Sequence, residues 1–381
     1  MNLINCKTSK DKDQYPQSMA YFMHVDWNWI KQRPHFLAEG LSSWFDLDLY
    51  FIKNYKQTNS LRNEMTSRVR SVQKIIKVPF SSRHGFLQFL EGMLNYTKIS
   101  NIYKNKYDYV WITSPIVLQF LDIHKISESF IVYDCMDDIL AFPQNERARN
   151  FLNNLEQLLL QRADIVFVSS NILGKKMIER GAPNKKVHLL NNAISTNFIE
   201  QNHLTKKNSE HRYSLFSIVY FGTIAEWFDF PTVIELLTHD KNVQVVLIGP
   251  IETEVPKHER LHVIGPVQHS KLKEYAELAD AFIMPFIVDE LVEAVDPVKV
   301  YEYLSFGKPS FIVRYGETLK FEPYVYLFSG ANELIQLVSQ VKNHEIKRVS
   351  MHDVKEFIKK NTWECRLEQV IQILGSQNMN K

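Results

Sequence analysis

The stretch Asp289 to Pro309, DELVEAVDPVKVYEYLSFGKP, carries side chains whose types and spacing could bind a nucleotide. It reads as an acidic loop, a short helix and a turn into a buried strand, Ser310 to Val313. Asp296 suits the N-cap, because a carboxylate there can accept an amide hydrogen of the first turn. Pro297 suits the first helical position, where no N–H is needed. Gly307 suits the C-terminal cap, and Lys308-Pro309 cannot continue the helix. Lys299 and Glu302 stand three apart and share a face. First-turn amides, the positive end of the dipole and a lysine make an anion site. A glutamate one turn deeper can accept two hydroxyls, as from a ribose. A phosphate and a diol one helical turn apart describe a nucleotide. The plainer alternative is a capped helix on which Lys299 and Glu302 pair in solvent.

The elements that would position such a helix follow from the apolar pattern. Ser18 to Val25, Leu47 to Ile52, Lys74 to Val78, Tyr109 to Thr113, Phe130 to Asp134 and Ile165 to Ser169 read as strands. Most are short apolar runs without alternation, as in a parallel sheet covered on both faces. Helical segments fall between them, about 35–44, 147–162 and 172–180. After a polar stretch the pattern restarts, with strands at Ser217 to Phe221, Val243 to Ile248, His262 to Ile264 and Ala281 to Met284. Their helices lie near 231–237, 271–278 and 298–306. This alternation implies doubly wound α/β architecture. The expected organisation is a polar tail 1–17, an N-terminal Rossmann-like domain 18–197, a linker 198–213 and a C-terminal Rossmann-like domain 214–350. Helices at 351–381 would pack back on the first domain. Ligands of open α/β sheets sit beyond the carboxyl ends of the strands, so two such domains would face a cleft.

At 381 residues the chain has room for two domains. Its net charge of +2 is unevenly spread. Between Phe51 and Val110 eleven Lys or Arg stand against three acids, Glu64, Glu91 and Asp108. That excess points to an anionic partner such as a membrane surface or a pyrophosphate, with a solvated basic face as the alternative. No nucleic-acid-binding motif accompanies it. His84 to Ile99 sets Phe86, Leu87, Phe89, Leu90, Met93 and Leu94 at helical spacing. Core packing is the default account of that stripe, and a surface helix dipping into lipid is the second. Cys6, Cys135 and Cys365 are odd in number and form no C-x-x-C, which argues for a reducing compartment and against a disulfide or metal framework. No apolar run is long enough for a membrane span, and the N-terminus lacks a signal-peptide core. A cytoplasmic protein, peripheral at the inner face of the cell membrane, is expected.

Several stretches resemble one family. ADIVFVSSNILGKKMIERGAPNKKVHLLNNAI, IVYFGTI, VVLIGP, LHVIGPVQHSKLKEYAELADAFIMPF, DPVKVYEYLSFGKP and NTWECRLEQVIQIL together resemble a GT-B glycosyltransferase of the family 4 (group 1) type. DWNWIKQRPHF, YDCMDD and FGTIAEWFDF are most similar to enzymes of teichuronic acid and xanthan assembly. The resemblance implies a glycosyltransferase of the hexosyltransferase type, without metal or cofactor. It would move a sugar from a UDP- or GDP-linked donor to a lipid-linked or growing glycan in surface polysaccharide synthesis. The alternative is a non-catalytic GT-B subunit that binds nucleotide sugar or glycan.

On that resemblance Glu302 would hold the ribose hydroxyls, while Lys299 and the amides near Val298 would face the diphosphate. Gly222 and Thr223 would let backbone approach it closely, and Val267 would lie by the base. The family's second glutamate falls at Ala294 here, leaving Glu293 or Glu290 for the donor sugar. The Arg and Lys usual after the glycine turn are replaced by Glu226 and Asp229. Asp137 or Asp138 of YDCMDD would be the acceptor's base, since adjacent carboxylates can raise one pKa. Either could instead bond backbone amides. Trp27 and Trp29 would stack on sugar and Arg33 would meet a pyrophosphate acceptor, with a core role for one tryptophan as the alternative. A separate reading takes Asp46-Leu47-Asp48 as the D-x-D of a metal-dependent GT-A enzyme.

Overall fold

Strands alternate with helices along almost the whole chain, and the strands collect into two parallel sheets. The computed structural model describes residues 17–29, 31–54, 69–81, 84–201, 215–267, 271–346 and 350–378. The first sheet draws on β1 (Ser18–Met23), β2 (Asp46–Asn54), β3 (Ser71–Lys77), β4 (Tyr109–Ile112), β5 (Phe130–Cys135), β6 (Ile165–Val168) and β7 (Val187–Leu189). Its order is β3-β2-β1-β4-β5-β6-β7. The helices beside these strands are α1 (Arg33–Leu41), α2 (Gly85–Asn105), α3 (Glu146–Arg162), α4 (Asn171–Glu179) and α5 (Thr196–Gln201).

The second sheet has the order β10-β9-β8-β11-β12-β13. Its strands are β8 (Phe216–Phe221), β9 (Val243–Ile248), β10 (Leu261–Gly265), β11 (Ala281–Met284), β12 (Ser310–Val313) and β13 (Tyr326–Phe328). Between and after them run α6 (Phe230–His239), α7 (Leu272–Leu278), α8 (Glu290–Glu293), α9 (Val298–Ser305), α10 (Ala331–Lys342), α11 (Met351–Lys360) and α12 (Trp363–Asn378). In both sheets the order reverses beside the first strand in sequence, β1 or β8, which is the doubly wound arrangement the apolar runs imply.

By backbone proximity the chain separates into two compact units, 1–113 with 117–132, and 114–116 with 133–381. Within the first, β2 carries the D-x-D. Asp48 is buried and accepts from Arg70 Nε at 3.0 Å, Ser71 Oγ at 2.6 Å and Tyr107 Oη at 2.6 Å, while Asp46 takes Arg70 Nη1 at 3.0 Å. These carboxylates fasten the β2–β3 edge of the sheet, so the metal-binding reading of the D-x-D finds no support here.

Helix α2 is turned opposite to the simple reading of its sequence. Phe86, Phe89, Met93 and Tyr96 are 72%, 63%, 61% and 70% exposed, while Glu91, Asn95 and Ile102 are buried. Hydrogen bonds explain the orientation. Asn95 Oδ1 accepts from Ile76 N at 2.9 Å and its Nδ2 donates to Ile76 O at 2.9 Å, so it pairs with edge strand β3 as a neighbouring strand would. Glu91 accepts from Val78 N and Ser81 Oγ, both at 2.7 Å. Core packing by the apolar stripe is thus corrected, because satisfied buried polar groups outweigh it.

Within the second unit, α12 returns to the first sheet. Arg366 donates through Nε to Asn191 O at 2.9 Å and through Nη2 to Asn192 O at 3.2 Å, and Gln369 donates to Leu189 O at 2.8 Å. The stretch read as a structureless linker begins as helix α5, whose Phe198 packs edge-on to Phe306 at 5.6 Å between ring centres. The remainder, 202–213, lies outside the described residues.

Candidate functional site

The carboxyl ends of β8, β9 and β10 each run into a glycine, and the three turns are fastened side by side. Gly222 N donates to Ile248 O and Gly249 N donates to Gly265 O, both at 2.9 Å. Tyr220 Oη donates to Thr223 O at 2.7 Å and closes the turn after β8. Helix α9 begins beside it. A Cβ built on Gly222 would lie 3.3 Å from Lys299 Cε, so this turn and this lysine are neighbours. Lys299 Nζ reaches Glu302 Oε2 at 3.1 Å and lies 5.6 Å above the Phe221 ring. No side chain caps the N-terminus of α9, and its C-terminus stops at Gly307, whose φ of 64° fits the glycine cap. The structure therefore brings Gly222, Thr223, Val298, Lys299 and Glu302 together. Val267 follows Gly265 after β10 and is half-buried against the second core.

Asp296 does not cap the helix. It is buried, accepts from Asn192 N at 2.6 Å and from Lys320 Nζ at 2.7 Å, and receives Tyr301 Oη at 3.4 Å. Burial raises its pKa, opposed by the Lys320 ammonium. Asn192 Nδ2 donates to Asp296 O at 2.8 Å, Ser170 Oγ to Ala294 O at 2.6 Å and Tyr315 Oη to Val295 O at 3.1 Å. Three consecutive residues before α9 are thus held by groups distant in sequence. The acidic stretch ahead of them contains α8, capped by Asp289 through Val292 N at 2.9 Å. Glu293 is exposed on it and Ala294 is buried.

Of the paired carboxylates after β5, Asp138 is buried and doubly ion-paired, to Lys176 Nζ at 2.8 Å and to Arg180 Nη2 at 2.7 Å. Burial alone would raise its pKa, but these two cations outweigh it and hold it low. Arg180 also pairs with buried Glu156 at 2.8 Å, where burial prevails and the carboxyl is raised. Lys176 bridges onward to Glu290 Oε1 at 2.9 Å, linking YDCMDD to α8. Asp137 is half-buried, with its carbonyl accepting from Cys135 Sγ at 3.6 Å. The expected mutual repulsion of two neighbouring carboxylates is not the dominant field on Asp138.

The aromatic and basic residues after β1 belong to the first unit. Trp27 is buried and stacks on His35 at 5.5 Å, which is the core role. Trp29 is half-buried, and Arg33 is buried at the start of α1. Sequence reasoning missed Asn192, Lys320 and Gly249. Only Gly249 carried a signal, the glycine that follows an apolar strand as at 222 and 265.

No family model matches the chain. It is 25% identical over 268 residues to a Bacillus subtilis (strain 168) protein named as a teichuronic acid biosynthesis glycosyltransferase, TuaH, covering 65% of this chain and 67% of that protein. HepE of Anabaena, solved with UDP and glucose, superposes with a TM-score of 0.70 at 12% identity, over 94% of this chain and 100% of that one. The outer-core lipopolysaccharide galactosyltransferase WaaB in its apo form gives 0.65 at 11% identity, over 95% and 100%. Sucrose-phosphate synthase of Thermosynechococcus elongatus gives 0.67 at 12%, over 96% and 100%. The chain therefore has the two-sheet GT-B fold of these solved structures, and in sequence it is similar to a glycosyltransferase.

Proposed function

We propose that the chain transfers a hexose from a UDP-linked donor to a lipid-linked or growing glycan acceptor in the synthesis of a surface polysaccharide. The observation that carries this reading is the meeting of the Gly222–Thr223 turn with Lys299 and Glu302 at the open start of α9. Backbone amides and Lys299 would take the diphosphate, Glu302 the ribose, and Val267 would lie by the base. HepE, seen with UDP-glucose, and WaaB, a galactosyltransferase, support a nucleotide-diphosphate sugar and a hexose. TuaH supports a surface-polymer acceptor. The proposed division is an acceptor domain at 18–197 and a donor domain at 214–350, at the inner face of the membrane. The basic segment 51–110 would meet anionic lipid.

Asp137 is the proposed base for the acceptor hydroxyl, with Asp138 fixed by Lys176 and Arg180 as its support. Trp29, which is half-buried, would meet the acceptor, whereas Arg33 is buried at the start of α1. Transfer would need no metal, so a chelator should leave it unchanged. UDP should raise the melting temperature by linkage, GDP less, and Glu302→Ala should abolish the shift. A shift of equal size in that variant would remove the central assignment.

One observation favours a binding-only reading. Ala294 stands where the resemblance places a glutamate, and it is buried with its carbonyl taken by Ser170 Oγ. Hydrolysis of UDP-sugar by the purified protein would exclude that reading.

A further inference from the structure

We propose that α2 is a membrane-docking element, which enters the headgroup layer of an anionic lipid bilayer with Phe86, Phe89, Met93 and Tyr96. At 3.6 residues per turn these four fall within about 80° of arc. They are the exposed face of the helix, and the residues that fix it to the sheet, Glu91 and Asn95, lie on the opposite side. A long surface helix with its aromatic residues outward leaves apolar area in water unless another phase covers it.

The charge pattern selects the occupant. Glu91 is the sole acid of α2, and it is buried against Val78 and Ser81, so the outward face carries no carboxylate to repel phospholipid. Lys104 is exposed two turns beyond Tyr96, at the Phe86 edge of the same arc, where a long ammonium side chain can reach phosphate. In sequence, the 51–110 segment that contains α2 holds eleven basic residues against three acidic ones. Phe80, which precedes the helix in sequence, is likewise 63% exposed. A tyrosine at the polar end of the stripe suits the water–lipid boundary. No helix among the described residues is long and apolar enough to cross a membrane, so α2 would lie along the surface.

This inference deepens the reading of a lipid-linked acceptor and rests on it for purpose, while its test is independent of transfer. Flotation with phosphatidylglycerol–phosphatidylcholine vesicles should carry the wild type upward, and pure phosphatidylcholine should carry less. Phe86→Ser/Phe89→Ser/Met93→Ser should lose at least about tenfold in partitioning. Phe89→Trp should still float, with its added emission shifted to the blue. Lys104→Glu should weaken binding to the anionic vesicles only. The UDP-induced thermal shift of the triple variant should match the wild type, which separates loss of docking from loss of the fold or of the donor site. A wild type that never floats, or a triple variant that floats as well, overturns the proposal. So does a wild-type dimer in gel filtration that the triple substitution dissolves, because the face would then belong to a second copy.

Discussion

Gly249 lies so close to Gly222 that a Cβ at position 249 would overlap the Gly222 carbonyl group. The neighbour in the way is backbone, and φ at Gly249 is +144°, a region that side chains disfavour. Gly249→Ala must therefore displace the β8 turn that lies beside Lys299. The expected result is a loss of about 2 kcal/mol or more of stability and a UDP-induced thermal shift reduced beyond what the lower melting temperature explains. Calorimetry with and without UDP measures both, and an unchanged shift would detach the glycine turn from the nucleotide.

Lys299 should matter for phosphate rather than for the fold, because it is partly exposed and its ion pair with Glu302 is intrahelical. Lys299→Met should weaken UDP by roughly tenfold or more, the usual worth of a hydrogen bond to a charged group. UMP should be affected much less. Isothermal titration with the two nucleotides tests this, and equal losses for both would place Lys299 away from the β-phosphate.

The two adjacent carboxylates should separate by phenotype. Asp138→Ala leaves Lys176 and Arg180 facing a cavity and should cost about 3–5 kcal/mol. Because Asp138 titrates below its ordinary value, its contribution is present above that range and is lost as pH falls through the lowered pKa. Asp137→Asn should keep the melting temperature within a degree or two while transfer falls by about two orders of magnitude or more. If Asp137→Asn transfers normally, the base lies elsewhere.

His35 supplies a pH test of the first unit. Its Nδ1 accepts from Gln32 N at 3.2 Å and its Nε2 donates to Asp26 O at 3.2 Å, so the neutral ring is satisfied at both nitrogens. Burial first, with Lys31 adding, pushes it down from 6.5 to about 4. The unfolded chain therefore binds the extra proton. Stability is full above about pH 6.5 and falls by up to about 3 kcal/mol towards pH 4. Urea midpoints at pH 7 and pH 5 should differ less in His35→Gln than in the wild type, and parallel behaviour would show that another group sets the slope.

The strands were readable because buried parallel strands are short unbroken apolar runs, and every strand expected from such a run is present within a few residues. Strands β7 and β13 are three residues each and carry too little pattern to show on periodicity alone. Helix α9 was readable from Pro297 and Gly307. The fate of Asp296 was not, since its partners lie 104 residues before it and 24 after it, and local spacing can suggest only a cap. The face of α2 was hidden for a related reason. Apolar spacing shows that a helix has a stripe, but the hydrogen bonds of Asn95 and Glu91 decided which way it points.

The Asp296–Asn192 contact bears on how such chains can be recombined. A chimaera that grafts residues 215–350 onto another relative's first sheet would bury the Asp296 carboxylate against a foreign loop. Exchange of donor preference should then require residues 190–193 to travel with the graft, and Lys320 to stay with Asp296. The boundary of an exchangeable second-sheet module is thus set by one buried carboxylate rather than by the stretch between the sheets.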